Sequence, residues 1–344
     1  ADDAFFRTAS FFSDRIIARS AHLHLKSLFK GDLISAFQHL PFLAMAHLAL
    51  GPYVLAYHLF ARDRVTARTI ADRLRGPNRQ ANEAEPMRLA HFTDTLDETN
   101  GVAHTIRRQL HEALGLNLPY RVFACGEPRP DDPPNLHRYR SLATFKPEEY
   151  PDVKLCLPPF LRMLDHCFES GYTHIHAATP GPLGLTALGI AKTLDLPFLA
   201  THHTDFASYT RLLLDDRAME RTMRQYLLWF YGQADRVLVP SFASAEELLD
   251  LGVEEKKIIL YPRGVNAEFF NDAARAHPSV SSRILPDRKK LLYAGRVSRE
   301  KNLDFLAQVF RATLALDPKV QLIVAGDGPY FETLERDLKG LPVV

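Results

Sequence analysis

Residues 173–205 read THIHAATPGPLGLTALGIAKTLDLPFLATHHTD. An apolar run at Thr173–Ala177 is followed by a loop rich in glycine and proline. An amphipathic stretch at Leu183–Leu194 and a second apolar run at Pro197–Thr201 come next. This order of strand, loop, helix and strand is typical of a parallel βαβ unit. The stretch therefore predicts a parallel sheet that carries helices on its faces.

The same alternation extends on both sides of this stretch, from Met87 to the end of the chain. Further strands are predicted at Arg88–Phe92, Arg121–Ala124, Arg236–Pro240, Lys257–Leu260, Lys290–Ala294 and Val320–Ala325. Further helices are predicted at Val102–Leu114, Phe160–Glu169, Asp215–Gln233, Ala243–Leu251, Leu303–Leu316 and Tyr330–Lys339. Because the pattern restarts after Pro262, we predict an α/β fold with two doubly wound, Rossmann-like domains.

The two predicted domains differ in size. We place the first at residues 86–265 and the second at residues 266–344. The second contains only two strand–helix units, and two strands make a poor sheet by themselves. The strand-like residues 341–344 have nothing after them, so we expect the second domain to be truncated at Val344.

Residues 1–85 are rich in histidine, phenylalanine, leucine and alanine, and this composition predicts a helical N-terminal segment. A linker at 76–86 joins it to the rest of the chain. Leu33–Ala61 contains no charged residue, but its histidines are costly in hydrocarbon, and Pro41 and Gly51-Pro52 should break a helix. Two interpretations stay open: a buried helical hairpin, or contact with a membrane surface. The segment could also be the tail of an upstream domain.

The composition excludes several classes of function. The chain has 344 residues, with 42 Lys and Arg against 41 Asp and Glu, so its formal charge is +1. This balance offers no general attraction to nucleic acid, and any anion site must be local. Three cysteines are too few for a disulfide scaffold and favour a reducing, cytoplasmic location.

Ligands of open α/β sheets bind beyond the carboxyl ends of the strands, which directs attention to the loops that follow them. Asn100-Gly101 leads directly into a helix, where free amides suit a phosphate or a sugar hydroxyl. The alternative is an ordinary tight turn. His202-His203 follows another strand: one histidine could belong to the core, while the other could hydrogen-bond a substrate. Adjacent side chains on an extended segment point opposite ways, which argues against a metal pair.

The second domain carries a local cluster of positive charge. Gly295 opens the loop after a predicted strand, and Arg296 and Lys301 follow just before a helix. A guanidinium, an ammonium and a helix N-terminus together suit a diphosphate. The alternative is two solvated basic residues in a loop. The next strand ends in Gly326-Asp327-Gly328, which could meet a base or ribose. Dinucleotide-fold dehydrogenases, P-loop NTPases and α/β hydrolases are poorly supported, because their motifs are missing.

Taken in order, these loops resemble the family 4 retaining glycosyltransferases of the GT-B fold. The resemblance covers about residues 87–344 and is closest to GDP-mannose-dependent α-mannosyltransferases and sulfoquinovosyl-lipid synthases. The matching pieces are Asp94-Thr95, Asn100-Gly101-Val102, Thr179-Pro180-Gly181-Pro182-Leu183-Gly184, His203-Thr204-Asp205-Phe206 with Tyr209, Val239-Pro240-Ser241, Pro262-Arg263-Gly264-Val265-Asn266, Gly295-Arg296, Glu300-Lys301-Asn302 and Gly326-Asp327-Gly328-Pro329.

The resemblance implies transfer of a mannose-like sugar from GDP-mannose or a UDP-sugar to a hydroxyl of a lipid or glycan, with retention and without a metal or cofactor. Arg296 and Lys301 would hold the diphosphate, and His203 would hydrogen-bond the donor sugar. The other donor-side residues would be Asn100, Gly101, Gly295, Asp327 and Gly328. The acceptor side would include Asp94, Thr204, Asp205 and Tyr209. The enzyme would be cytoplasmic, with peripheral contact at the inner face of the membrane.

One departure from the family pattern keeps a second hypothesis open. The paired glutamates of the family's second domain would lie beyond Val344, so they are absent from this sequence. A non-catalytic relative that binds a nucleotide or a sugar is therefore the alternative to an enzyme.

Overall fold

The computed structural model describes residues 6–8, 10–19, 33–75, 86–145, 154–203, 217–264 and 283–344, with only the backbone for 33–49, 72, 75 and 300. Contacts divide the chain into two compact units. The first comprises residues 1–205 and 224–262, and the second comprises 206–223 and 263–344. The predicted boundaries at residues 85 and 265 stay predictions.

The first unit is built on a seven-stranded sheet in the order β3-β2-β1-β6-β7-β8-β9. Its strands are β1 (Leu89–Phe92), β2 (Tyr120–Cys125), β3 (Leu136–Tyr139), β6 (His174–Ala177), β7 (Phe198–Thr201), β8 (Arg236–Val239) and β9 (Ile258–Leu260). Every neighbouring pair in this sheet is parallel. The strand order reverses between β1 and β6, so the sheet has a switch point there, as doubly wound folds do.

Helices cover the sheet and bury its apolar side chains. They are α3 (Gly101–Gly115), α4 (Phe160–Ser170), α5 (Pro182–Leu194), α6 (Arg217–Gly232) and α7 (Phe242–Leu251). Helix α5 buries residues on nearly all sides, which explains its almost uniformly apolar sequence. Phe92, Phe123 and Phe198 are fully buried beneath these helices.

The second unit repeats the design at a smaller scale. Strands β10 (Lys289–Ala294) and β11 (Val320–Ala325) form a parallel pair, and helices α8 (Leu303–Leu316) and α9 (Phe331–Asp337) follow them. A core cluster that includes Val297, Phe310 and Leu322 joins these elements. Val343 makes a parallel bridge to Leu322, which agrees with the strand-like character of residues 341–344.

The N-terminal segment packs on the first unit. Residues 10–19 form α1, and α2 (Leu33–Arg75) contacts α4 and α5. The Tyr57 hydroxyl donates to Asp165 Oδ1 at 2.6 Å, and Arg64 lies 3.7 Å above the Phe168 ring. Within the described residues, no helix is long and apolar enough to cross a membrane.

The expectation that Pro41 and Gly51-Pro52 would break this segment is wrong, since α2 runs continuously through both places. A proline removes one helical hydrogen bond and costs about 3 kcal/mol in a helix interior. The contacts of α2 with α4 and α5 offset this cost. The predicted linker lies mostly in residues 76–85, outside the part of the chain that the structure describes.

The predicted α/β class is confirmed, and the predicted strands and helices agree with the structure to within two or three residues wherever it describes them. Three strands were missed. The half-buried edge strand β3 carries polar residues, and β4 (Ala143–Phe145) and β5 (Leu155–Leu157) are only three residues long. Such short strands carry too little alternation to be recognised from sequence.

Candidate functional site

The switch point of the first sheet lies between the loops that follow β1 and β6. The first loop contains Asp94, and the second contains Thr179 and Gly181. The Asp94 carboxylate accepts the Thr179 hydroxyl at 2.8 Å and the Leu183 backbone N–H at 2.9 Å. Asp94 therefore connects the two loops and caps the N-terminus of α5, where a negative charge is favourable.

The space around Asp94 is tightly filled. A Cβ at Gly181 would lie 2.4 Å from Asp94 Oδ2, and a Cβ at Gly184 would lie 1.9 Å from the Thr179 carbonyl oxygen. Only glycine permits this close approach of helix and loop. Burial raises the pKa of Asp94 to about 6, although hydrogen bonds from Leu183, Thr179 and Gly184 partly oppose that rise.

Asn100 and Gly101 start α3 at the same edge of the sheet. The Asn100 side-chain oxygen accepts the Ala103 N–H at 2.8 Å, and its amide donates to Glu98 Oε2 at 2.7 Å. Asn100 is thus the N-cap of α3 and binds its own helix. Gly101 is exposed at the first position of the helix, so a ligand can approach the backbone there.

The two adjacent histidines after β7 have different surroundings. His202 is 3% exposed, with Nε2 3.0 Å from Glu247 Oε2 and Nδ1 3.2 Å from the Tyr231 hydroxyl. Both ring nitrogens of His202 are thus engaged by protein side chains. His202 is therefore the structural member of the pair. His203 is only partly buried, which leaves it the better placed of the two for a substrate.

Two buried histidines were missed by sequence analysis because they lie inside strands. His91 of β1 and His176 of β6 stack with ring centroids 4.0 Å apart. Burial, followed by the charges of His176 and His203, holds the pKa of His91 well below its ordinary value. Burial lowers the pKa of His176 to about 4. Both rings are neutral at pH 7. Their only signal in the sequence is a polar residue within each apolar strand.

In the second unit, the loops after β10 and β11 are joined by backbone hydrogen bonds. The Gly295 N–H donates to the Ala325 carbonyl at 3.0 Å, and the Val297 N–H donates to the Asp327 carbonyl at 2.9 Å. A Cβ at Gly326 would lie 1.8 Å from the Gly295 carbonyl oxygen. The glycines of both loops therefore permit a paired, closely packed edge.

The predicted cations lie on this edge. Arg296 is half-buried and its carbonyl accepts the Tyr293 hydroxyl at 2.6 Å, which anchors the backbone of the loop. Lys301 is exposed at the end of a short 3₁₀ turn (Arg299–Lys301). Asn302, next in the chain, precedes α8 but makes no side-chain cap, so the first amides of that helix lack this partner.

The structure thus groups the predicted residues by unit. Asp94, Asn100, Gly101 and His203 lie at the carboxyl edge of the first sheet, and Gly295, Arg296, Lys301, Asp327 and Gly328 lie at that of the second. Asp327 Oδ1 accepts the neighbouring Gly328 N–H at 2.7 Å, which rigidifies the loop. Thr204, Asp205 and Tyr209 lie outside the described residues.

Family models match both units. The model described as Glycosyltransferase Family 4 matches residues 99–269, and the model described as Glycosyl transferases group 1 matches residues 279–342. Together these matches cover well over half of the chain. The chain belongs to the family 4 glycosyltransferases. Both matched segments contain residues that sequence analysis singled out, including Asn100 and His203 in the first and Arg296 and Lys301 in the second.

Curated relatives of this glycosyltransferase have more than one sugar specificity. This chain is 26% identical, over 75% of its own length, to an alpha-monoglucosyldiacylglycerol synthase of Streptococcus pneumoniae. It is 30% identical, over 57% of its own length, to a sulfoquinovosyl transferase of Arabidopsis thaliana. It is 30% identical over 68% to a GDP-mannose-dependent alpha-mannosyltransferase of Mycobacterium tuberculosis. The chain spans 59%, 38% and 60% of these three proteins, respectively.

Solved structures share the fold of this glycosyltransferase. A sucrose-phosphate synthase from Thermosynechococcus elongatus aligns with a TM-score of 0.55 and 22% identity, over 75% of this chain and 69% of that one. Anabaena HepE in complex with UDP and glucose aligns with a TM-score of 0.52 and 13% identity, over 75% of this chain and 68% of that one. These likenesses show the GT-B fold.

Proposed function

We propose that this protein is a retaining, metal-independent hexosyltransferase that moves a mannose-like sugar from a nucleotide diphosphate to an acceptor hydroxyl. The observation that carries the proposal is the edge of the second unit, where Arg296 and Lys301 follow a loop closely paired with Gly326-Asp327-Gly328. A departing nucleoside diphosphate develops negative charge. Fixed cations and helix amides stabilise such charge where it forms, which is usually the largest catalytic effect.

We assign the roles of the chain's own residues from this charge argument. Arg296 offers a planar fork to phosphate oxygens, and Lys301 offers a point charge. Both would favour bond breaking between the sugar and the diphosphate, so no metal is required. The acceptor would attack the sugar carbon on the face that the phosphate leaves. A departing phosphate oxygen would take the acceptor's proton, because no side chain is assigned as the base.

We also propose roles for the remaining residues that the sequence singled out. His203 would donate a hydrogen bond to the donor sugar, and Gly101 would let a phosphate or sugar approach the start of α3. Gly295 and Gly328 would border the nucleoside. Asp94 would act on the acceptor side by holding two loops of the switch point in register. Thr204, Asp205 and Tyr209 are proposed on the acceptor side from the resemblance alone.

GDP-mannose is the proposed donor and a lipid hydroxyl the proposed acceptor. Relatives named GDP-mannose-dependent alpha-mannosyltransferase favour the donor, and the relative named alpha-monoglucosyldiacylglycerol synthase favours the lipid acceptor. UDP-glucose is the competing donor. A non-catalytic nucleotide-binding relative is the competing function.

The test compares nucleotide binding with sugar transfer. We expect GDP to raise the thermal midpoint by several degrees at 100-fold excess over Kd, which corresponds to about 2.7 kcal/mol, and UDP to raise it less. Radiolabelled mannose should then pass from GDP-mannose to diacylglycerol in detergent micelles, with EDTA leaving the rate unchanged. Binding without transfer would favour the non-catalytic relative, and a response to UDP alone would reject the proposed donor.

We further propose that α2 contacts the cytoplasmic surface of an anionic membrane. Leu55, Leu59, Ile70 and Leu74 recur at helical spacing on the side opposite Tyr57, and all four are about half exposed or more. Arg62 and Arg73 lie on the same side and are exposed. Apolar side chains flanked by arginines suit an interfacial helix, and anionic lipids attract such a helix by about 1 kcal/mol per cation.

Vesicle sedimentation tests this contact. We expect the protein to sediment with vesicles that contain phosphatidylglycerol, and less so with neutral vesicles or at high salt. The double variant Leu59→Ser/Leu74→Ser should lose most of this binding, because about 0.8 kcal/mol is lost per unburied CH₂ group. The matched control is Leu316→Ser, which changes an exposed leucine of the second unit. Equal binding by both variants would reject the α2 surface.

A further inference from the structure

A buried arginine in the edge strand β3 binds the loop that joins β1 to α3. The side chain of Arg138 is 4% exposed. Its Nη1 and Nη2 donate to the two carboxylate oxygens of Asp97 at 2.8 and 2.9 Å, which makes a bidentate ion pair. Its Nε donates to Asp132 Oδ2 at 2.8 Å. Because a buried guanidinium is costly unless it is paired, these carboxylates hold Arg138 in one position.

The ion pair joins three neighbouring strands at the carboxyl edge of the first sheet. Asp97 belongs to the loop after β1, Gly126 directly follows β2, and Arg138 lies in β3. Gly126 has a φ of +146°, and a Cβ there would lie 3.2 Å from Arg138 Nη1 and 3.6 Å from Asp97 Oδ2. Glycine therefore allows the backbone to approach the ion pair this closely. The Gly126 N–H donates to the Tyr139 carbonyl at 2.9 Å, which fixes β2 against β3 at this point.

Two further arginines contact the same loop, but they are more exposed than Arg138. Arg107 of α3 donates to the Leu96 carbonyl at 2.5 Å, and Arg129 lies 3.2 Å from Asp97 Oδ2. Arg107 is exposed, and the Arg129 side chain is 53% exposed. Exposed ion pairs contribute little, because water screens them. Of the three cations, Arg138 is therefore the one whose loss should change the position of the loop most.

We propose that Arg138 is a positioning residue for sugar transfer, which acts through Asp97 to hold the loop that leads to Gly101. This inference rests on the proposed function, in which a phosphate or sugar approaches the backbone at Gly101. A displacement of about 1 Å at a group that orients substrate can slow a reaction about 100-fold. The guanidinium also neutralises a carboxylate in the loop just before that helix N-terminus, where a free negative charge would repel a phosphate.

The first experiment compares two arginines of the same sheet edge. Arg138→Met removes the bonds to Asp97. Arg140→Met is the matched control, because Arg140 pairs with Glu127 at 2.8 Å while both side chains are exposed. With GDP-mannose, we expect Arg138→Met to lower kcat at least about 10-fold and Arg140→Met to lower it less than about twofold. The Kd for GDP should change less than about threefold in either variant, since the proposed cations of the diphosphate site lie in the second unit.

Circular dichroism at the assay temperature checks that each variant is folded. An unaltered kcat in folded Arg138→Met would overturn the positioning role. Arg138→Lys should recover less than half of the lost rate, since an ammonium restores the charge but cannot form the bidentate pair.

A second set of variants tests whether the effect passes through Asp97. Asp97→Asn keeps the size of the side chain but removes its charge, and we expect it to lower kcat about threefold to 10-fold. The double variant Arg138→Met/Asp97→Asn should be no slower than Arg138→Met, because both changes remove one contact. If the two effects multiply instead, the route through Asp97 is wrong. Asp97→Asn also decides the proposal by itself if Arg138→Met does not fold: an unaltered kcat would overturn it.

Hydrogen exchange separates failure of this inference from failure of the proposed function. The backbone amides of Glu98, Ala103 and His104 are hydrogen-bonded within the loop and the first turn of α3. In Arg138→Met they should exchange at least about 10-fold faster, while amides of β7 and β8 stay unaltered. If the unaltered chain transfers no sugar, the proposed function fails, and exchange still tests the hold of Arg138 on the loop. Unaltered exchange at these amides would overturn that hold whatever the activity.

Discussion

Replacing Arg296 by alanine should lower kcat for sugar transfer about 100-fold to 1000-fold, and replacing Lys301 should have a similar effect, because a preorganised charge at a leaving group contributes on that scale. Arg296 is half-buried on the loop paired with Gly326, so its charge is positioned before substrate binds. Steady-state rates with GDP-mannose measure the effect. Arg296→Lys should recover part of the rate, since it restores the charge but not the planar fork.

The matched control is Lys339→Ala. Lys339 is exposed beyond the far end of α9 and lies outside the proposed site. Its loss should change kcat less than twofold. If Arg296→Ala and Lys301→Ala transfer sugar as fast as Lys339→Ala, the leaving-group role is wrong. A rise in KM with unchanged kcat would instead assign both residues to ground-state binding of the donor.

Replacing Asp94 by alanine should lower the free energy of unfolding of the first unit by about 3 kcal/mol or more, because the Thr179 hydroxyl and the amides of Leu183 and Gly184 lose a buried partner. The single tryptophan, Trp229, lies in α6 of the same unit and reports unfolding in urea by its fluorescence. The control Asp131→Ala alters an exposed loop carboxylate and should change stability by less than about 0.5 kcal/mol.

The same carboxyl gives a pH dependence of known sign. The folded pKa of Asp94, about 6, lies above its ordinary value of 3.8, so protonation favours the folded state. That stabilisation is complete below about pH 4 and is lost as the pH rises through 6, by up to ~3 kcal/mol for a shift of this size. Asp94→Asn does not titrate. The stability of the unaltered protein minus that of Asp94→Asn should therefore fall between about pH 4 and 6 and level off above about pH 7. A constant or rising difference between about pH 4 and 6 would contradict this assignment.

Local patterns were sufficient for the main elements of the fold. Strands such as β6 and β7 are short apolar runs bounded by glycine, proline and polar loops, and this pattern follows from burial on both faces of a parallel sheet. The switch point could not be located from the pattern, because pairing of β1 with β6 joins segments far apart in the chain. The continuity of α2 through Pro52 was also not predictable, since packing on α4 and α5 offsets the local cost.

The candidate site was predictable in part for the same reason. Loops after strands were recognised by position, which brought Asn100, His203, Arg296 and Lys301 into consideration. The residue pattern alone did not rank His202 against His203, and the choice of His203 came from the family resemblance. The contacts of His202 with Tyr231 and Glu247 mark His202 as structural. The stacked histidines within β1 and β6 were missed, because the sequence around a polar residue in one strand does not show which side chain of the neighbouring strand it contacts.

The sequence by itself determined the α/β class, the restart of the pattern in a second unit, and the glycine-rich and basic loops, because each depends on residues close together in the chain. Only the tertiary structure decided that Asp94 caps α5 across the switch point and that His202 is held by Tyr231 and Glu247. Both facts depend on contacts between remote segments of the chain, and burial among such segments is what raises the pKa of the Asp94 carboxyl.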